Sequence, residues 1–190
     1  MILANLYLSR EQSAKALDVV LYGLVLKPGN RGMLLLKARI EAMRSPLLAI
    51  PTLRALHESQ PDDMPTTFGL TDLYIAADQT QKAVDLLKEQ ISVDKDEQTL
   101  QKYNMALAIA LYKNGQKTES EELFGTLFKS YPTDAVVLQA YSGVLRDDAR
   151  YNDITAKVIE WFSQNPDSPD GVINIAQSNI DDTIRAVGVL

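Results

Sequence analysis

Few residues of this chain are of the types that carry chemistry, and they are not spaced for it. Among the 190 residues, His57 is the only histidine, and there is no cysteine. Disulfides, thiolate nucleophiles and the usual transition-metal ligand sets are therefore excluded. The sequence contains no glycine-rich phosphate-binding loop, and no motif places His57 beside a serine as a general base. The sequence therefore predicts no nucleophilic site and no cofactor.

Adjacent acidic residues are the remaining candidates for acid–base chemistry. They include Asp62–Asp63, Glu121–Glu122, Asp147–Asp148 and Asp181–Asp182. Two carboxyl groups can act as acid and base when their surroundings move their pKa values apart. These pairs fall in predicted turns or at predicted helix ends, where aspartate caps a helix or is solvated. We therefore predict that the protein is not an enzyme.

Composition limits the classes of partner. The chain is 46% hydrophobic and 23% charged, as folded globular chains are, with a formal net charge of −6. This acidity opposes binding to nucleic acid and to an anionic membrane surface, since both depend on lysine and arginine. No apolar run approaches the roughly 20 residues that span a bilayer, so we predict no membrane insertion. A basic or neutral peptide or protein is the favoured partner.

A repeat of about 34 residues organises the chain. Proline recurs at Pro28, Pro61, Pro132 and Pro166, and Lys95 takes its place between the second and third. Twelve residues before these five positions stand Ala16, Ala49, Ala83, Ser120 and Ile154. Eight residues before them stand Val20, Leu53, Leu87, Phe124 and Val158. This period is typical of stacked helix-turn-helix repeats, in which small residues let the paired helices approach closely.

The hydrophobic spacing and the turn residues predict an all-α protein, an α-solenoid of paired helices. The predicted pairs lie near 1–8 and 11–26, 31–43 and 46–59, 65–77 and 80–93, 97–113 and 117–130, and 134–147 and 151–164, with a last helix at about 170–180. A single array over 1–190 follows, with units of about 1–30, 31–63, 64–97, 98–134, 135–168 and a partial unit 169–190. Both ends fall within a repeat, so we expect a fragment of a longer array.

These residues resemble the tetratricopeptide repeat over nearly the whole chain. The fourth unit matches best, with Leu107, Ala108, Leu111, Tyr112, Gly115, Ser120, Phe124 and Pro132; the third has Leu70, Tyr74, Ala83 and Leu87. The chain departs from the pattern at Lys95, at Ile154, and at Lys37, which falls where the first helix usually has Gly or Ala. The second unit is also one residue short. The resemblance implies a right-handed superhelix whose first helices line a concave, peptide-binding groove.

Carrying that groove over unit by unit nominates partner-binding residues. They are Phe68, Asp72, Lys102, Met105, Ile109, Tyr112, Lys113, Gln139 and Arg146, with Ile75, Gly143, Asp147, Ile173 and Gln177 on the same faces. We expect Phe68, Met105 and Tyr112 to be the anchors, so that Met105→Ala with Tyr112→Ala weakens binding without unfolding the array. Alternatively, the stripe of Met105, Ile109 and Tyr112 packs against a neighbouring helix.

The resemblance implies a non-catalytic scaffold for protein–protein interaction. An alternative is a bacterial periplasmic scaffold of an exopolysaccharide export system, because phrases such as Asp72-Leu73-Tyr74 and Ala83-Val84-Asp85-Leu86-Leu87 are similar to those of such proteins. The compartment stays open between the cytoplasm and the periplasm. Self-association through the apolar ends of the chain is a further possibility.

Overall fold

The structure is a computed structural model that describes residues 1–93 and 96–166. Those residues form ten α-helices and no strand, which confirms the predicted all-α class. The helices are α1 (Ile2–Leu8), α2 (Ser13–Leu26), α3 (Arg31–Ala42), α4 (Pro46–Ser59), α5 (Met64–Ala76), α6 (Thr80–Val93), α7 (Glu97–Lys113), α8 (Lys117–Ser130), α9 (Ala135–Asp147) and α10 (Tyr151–Gln164). Lys95 and the predicted unit at 169–190, with Ile173 and Gln177, lie outside the described residues.

The chain divides into two compact units, Met1–Glu89 and Gln90–Leu190. In the first unit α1 packs on α2 and α3 on α4, and these hairpins stack through α2 on α3 and α4 on α5. In the second unit α7 packs on α8 and α9 on α10, and α9 also contacts both α7 and α8. Each unit is therefore a stack of helical hairpins, as the repeat predicts. The assignment of all repeats to a single array stays a prediction.

The residues at the hairpin crossings are fully buried. Ala16, Ala49, Ala83, Ser120 and Ile154 have no exposed surface, and the apolar residue four positions after each of them is buried as well. In the fourth repeat the Ser120 hydroxyl donates a hydrogen bond to the Ala108 carbonyl oxygen across the crossing, at 2.7 Å. The predicted core positions of the second helices are confirmed, including Ile154, which packs in a cluster with Leu138, Leu145 and Trp161.

A polar side chain starts most of the first helices. Asn30, Asp63, Asp96 and Asp134 each accept a hydrogen bond from a backbone N–H in the first turn of the helix that follows, at 2.8 to 3.0 Å. Such N-caps satisfy backbone donors that have no partner within the helix. Two of them also join consecutive repeats: the Arg31 guanidinium donates to Asp63 at 2.6 Å, and the Gln101 amide donates to Asp134 at 2.5 Å.

The turns inside four of the hairpins share one conformation. Glu11, Asp78, Gly115 and Ala149 have φ angles of 59°, 58°, 83° and 57°. In each case the next residue donates its backbone N–H to the carbonyl five positions back, as in Gln79 to Tyr74 at 2.8 Å and Gln116 to Leu111 at 2.9 Å. This is the hydrogen bond of a Schellman motif, in which a left-handed residue ends the helix.

The turn of the second repeat is one residue shorter, and this corrects the interpretation of Lys37. There Ser45 donates its N–H to Glu41, only four positions back, at 3.0 Å. The buried small residue of α3 is consequently Ala38, eleven residues before Ala49, whereas the other described hairpins have a spacing of twelve. Lys37 lies beside the crossing, where its ammonium group pairs with Glu41 at 2.7 Å. The departure from the small-residue pattern at Lys37 is therefore a shift in register.

Candidate functional site

The nominated residues all lie on the first helices of their repeats. Phe68 and Asp72 belong to α5 in the first unit. The remaining seven belong to the second unit: Lys102, Met105, Ile109, Tyr112 and Lys113 on α7, and Gln139 and Arg146 on α9.

A groove of about 420 Å³ runs between α7 and α9, the first helices of consecutive repeats. It is lined by Ile109, Lys113, Val136, Gln139, Ala140, Gly143, Val144, Arg146 and Asp147. On α9 the lining positions recur at intervals of three and four, because residues at that spacing share one face of a helix. Four nominated residues are brought together here, namely Ile109, Lys113, Gln139 and Arg146, with Gly143 and Asp147 beside them.

Part of the groove is apolar and open. Val136 is 54% exposed, and Ile109 and Ala140 are partly buried beside the core formed by Ala108, Tyr112, Phe124, Leu127, Val137 and Val144. A Cβ atom added at Gly143 would meet no other atom within 4 Å. Gly143 therefore leaves free volume on a helix surface, and Val136 offers apolar area that a bound partner would remove from water.

One end of the groove is charged. Lys113, the last residue of α7, forms an ion pair with Asp147, the last residue of α9, and Arg146 lies next to it. Both members of the pair are well exposed, so it contributes little to stability in water. The pair places a positive and a negative charge at this end of the groove.

Tyr112 belongs to the core of the second unit. It is 4% exposed and packs in the cluster that contains Phe124 and Leu127. Its hydroxyl donates to Asp148 at 2.5 Å, and the Lys117 ammonium lies 5.1 Å from the centre of its ring. Burial, followed by the hydrogen bond to Asp148, raises the pKa of Tyr112 above its usual value. Its side chain thus joins α7 to the C-terminal cap of α9 and leaves little surface for a partner.

The other nominated residues differ in exposure. Met105 is partly buried against the same core, and Lys102 is exposed on α7 outside the lining of the groove. In the first unit Phe68 is half-buried, and Asp72 is exposed. Partial removal of Asp72 from solvent nevertheless raises the pKa of its carboxyl group above the usual value. Partner contact at these four positions stays a prediction.

Sequence reasoning missed three residues that line the groove: Val136, Ala140 and Val144. Each is an apolar residue at helical spacing, the pattern that indicates core. Val144 is indeed buried, whereas Val136 is exposed. Val136 stands three residues before Gln139, on the face of α9 that the sequence nominates, and this spacing could have identified it.

Other kinds of site find no support in the described part of the chain. Residues 1–93 and 96–166 contain no group of three or more acidic or histidine side chains that could hold a metal ion. None of the helices described there is long and apolar enough to cross a membrane.

Solved structures share this fold, although no known protein family and no curated protein matches the sequence. A tetratricopeptide repeat protein from Parabacteroides merdae ATCC 43184 superposes with a TM-score of 0.66 at 17% identity, over 85% of this chain and 62% of that one. MamA superposes with a TM-score of 0.62 at 13% identity, over 95% of this chain and 98% of its own. YrrB, described as a TPR protein with an unusual peptide-binding site, gives 0.53 at 12% identity, over 92% and 88%.

The chain therefore has the tetratricopeptide-repeat fold, a helical-repeat solenoid, as its sequence pattern indicates. It spans about three fifths of the length of the Parabacteroides merdae protein.

Proposed function

We propose that this protein is a non-catalytic interaction scaffold that binds a peptide segment of a partner protein in the groove between α7 and α9. The observation that carries the proposal is the pairing of an exposed apolar side chain, Val136, with open volume at Gly143 in one groove. At about 420 Å³, the groove is within the range of about 300 to 1,000 Å³ that ligand pockets occupy.

The chemistry of the groove favours a partner with one apolar anchor and a polar flank. Binding energy at protein interfaces comes mostly from a few anchors that are fully removed from water. Val136, Ile109 and Ala140 provide apolar surface for such an anchor, and the Lys113–Asp147 pair with Arg146 provides both signs of charge at one end. YrrB has the same fold and a peptide-binding site, which supports a peptide as the class of ligand.

A longer contact surface and a role in periplasmic export are two further predictions. Phe68, Asp72, Lys102 and Met105 would extend the contact if the partner is long. A role in periplasmic export would be tested by the sequences that flank this array in the gene, where a secretion signal or a lipid-anchor signal would favour it.

The test fills the groove at Gly143 and compares this change with a matched change elsewhere. Gly125 on α8 is the control, because an added Cβ atom there also meets nothing within 4 Å and Gly125 does not line the groove. Gly143→Leu and Gly125→Leu should both fold, and each should gain up to about 1 kcal/mol of stability from the better helix former. Circular dichroism and urea unfolding check this first.

Binding is then measured with a peptide selected by the native chain from a random phage-displayed library. We expect fluorescence anisotropy to show at least about a tenfold loss of affinity for Gly143→Leu, a loss typical of a blocked anchor, and no change for Gly125→Leu. Equal affinity of the native chain and a folded Gly143→Leu variant would refute the groove as the site. Failure to select any peptide would refute the peptide class of partner.

A further inference from the structure

A cleft of about 580 Å³ lies in the first unit, between α3 and α4 of the second repeat. Its apolar wall includes Leu34, Ala55 and Leu56, and among the described residues that line it Arg31 alone is charged. We call this space the α3–α4 cleft. It shares no lining residue with the groove between α7 and α9, so a ligand of this cleft is independent of the partner proposed for that groove.

The sequence of α4 leaves this volume open. At the position of Ala55, six residues after the small crossing residue, the other second helices have larger side chains, namely Tyr22, Glu89, Thr126 and Glu160. Thr52 stands on the same side of α4, three residues before Ala55, where α6 and α8 have leucine. The alanine therefore provides space for an aliphatic group, which would be removed from water against Leu34 and Leu56.

The Arg31 guanidinium has unused hydrogen-bond donors. Its Nη2 atom donates to Asp63 at 2.6 Å and to Thr66 at 3.3 Å. Its Nη1 atom is buried and has no acceptor among the residues that the structure describes. A buried donor without an acceptor is unfavourable, more so on a charged group. The Arg31 side chain as a whole is 35% exposed, so it can turn toward a ligand that brings an oxygen atom to Nη1.

The charge of Arg31 is already balanced by Asp63. The two groups form an ion pair at 2.6 Å, and Asp63 also caps α5. A carboxylate bound at Nη1 would place a second negative charge close to Asp63, and the two like charges would repel each other. The carbonyl oxygen of an amide accepts the same hydrogen bond without that repulsion. Gln60, which also lines the cleft, adds an amide that can both donate and accept.

We propose that the α3–α4 cleft binds an uncharged amide that carries a branched aliphatic group. The aliphatic group packs against Leu34, Ala55 and Leu56, and the amide carbonyl accepts a hydrogen bond from Nη1 of Arg31. A leucine-like residue within a peptide chain has this chemistry, and a free small amide has it too.

Isocaproamide and isocaproate are matched probes, because they differ only in the replacement of the amide by a carboxylate. Titration of the isotope-labelled native chain is followed by the NMR shifts of its backbone amides. Isocaproamide should bind with a dissociation constant in the millimolar range, as expected of so small a ligand, and should shift Gly29, Leu34 and Leu56. Isocaproate should bind at least about tenfold more weakly. Absence of shifts at the cleft, or equal affinity for the two probes, would overturn the proposal.

Arg31→Lys tests the guanidinium. Lysine keeps the positive charge beside Asp63 but has a single nitrogen, so the affinity for isocaproamide should fall at least about tenfold. Arg39→Lys is the matched control, since Arg39 is an exposed residue of the same helix outside the lining of the cleft. Ala55→Leu fills the cleft and should abolish binding, whereas Ala156→Leu, at an exposed position of α10, should not. Circular dichroism checks that each variant folds.

Asp63→Asn tests the balance of charge. Asparagine caps a helix as well as aspartate does, so the fold should be retained. Without the carboxylate the charge of Arg31 is unbalanced, and isocaproate should then bind more tightly than isocaproamide. An unchanged preference, or native affinity in Arg31→Lys, would overturn the proposal.

A capped Gly-Gly-Leu-Gly-Gly peptide distinguishes the two sources of the amide. Tighter binding than that of isocaproamide indicates a peptide chain, and weaker binding indicates a free small amide. Both results support the α3–α4 cleft as the site.

Discussion

Tyr112→Ala is expected to destabilise the second unit strongly. The side chain is 96% removed from solvent within a core that includes Ala108, Phe124 and Val137. Replacing a buried aromatic residue by alanine costs about 3 to 5 kcal/mol, because the transfer free energy of the ring is lost and a cavity remains. The sequence alone predicts a different result, in which Tyr112→Ala with Met105→Ala weakens binding and leaves the fold intact.

Tyr112→Phe separates the hydroxyl from the ring. The hydroxyl donates to Asp148, which keeps its ion pair with Lys117 when the hydroxyl is removed. Because Asp148 is exposed and remains paired, we expect the phenylalanine variant to lose only about 1 kcal/mol, the net contribution of one hydrogen bond. The difference between the two variants, about 2 to 4 kcal/mol, is then the contribution of the buried ring.

Urea unfolding followed by circular dichroism measures both variants against the native chain. Equal slopes of the unfolding free energy against urea concentration would show that the area exposed on unfolding is unchanged. The shift in the urea midpoint then reports stability alone. A loss below about 1 kcal/mol for Tyr112→Ala would refute the assignment of this ring to the core, since surface substitutions usually fall within about 0.5 kcal/mol. A phenylalanine variant as unstable as the alanine variant would refute the division between ring and hydroxyl.

The turns and caps supply two more predictions. Gly115→Ala should destabilise the protein and Ala149→Gly should stabilise it, each by about 1 kcal/mol in urea unfolding, because both positions are left-handed and a Cβ atom is unfavourable there; the same sign for both would contradict this reasoning. Asp63→Ala should cost about 1 kcal/mol at pH 7 through the lost N-cap. Hydrogen bonds from Thr66 lower the pKa of Asp63 below 3.8, so its charge-dependent contribution is present above pH 3.8 and is lost as the pH falls through the lowered pKa. A cost of Asp63→Ala that does not shrink in acid would contradict the role of the charge.

The repeat and its hairpins could be predicted from the sequence because their causes are local. A small residue at Ser120, a turn glycine at Gly115 and a helix-ending proline act within a few residues of where they stand. The register of the second repeat could not be assigned in this way. Whether Lys37 or Ala38 faces the crossing depends on the hydrogen bonding of a turn that is one residue short, which no hydrophobic pattern records.

The candidate groove was predictable in part. Ile109, Lys113, Gln139 and Arg146 follow from the rule that first helices line one side of the array, and the structure brings them together. Val136 could not be told from a core valine, since its spacing is that of a buried stripe.

The amino-acid sequence by itself determined which segments are helices, where they turn and which small residues meet at the crossings, since each of these depends on neighbours within one repeat. Only the tertiary structure decided which apolar side chains stay exposed. Tyr112 is buried because Phe124 and Leu127 of α8 and Val137 of α9 belong to the same core cluster, while Val136 remains open. The physical reason is that a helix in a stack has several sides, and its exposure is set by whichever helices cover each of them.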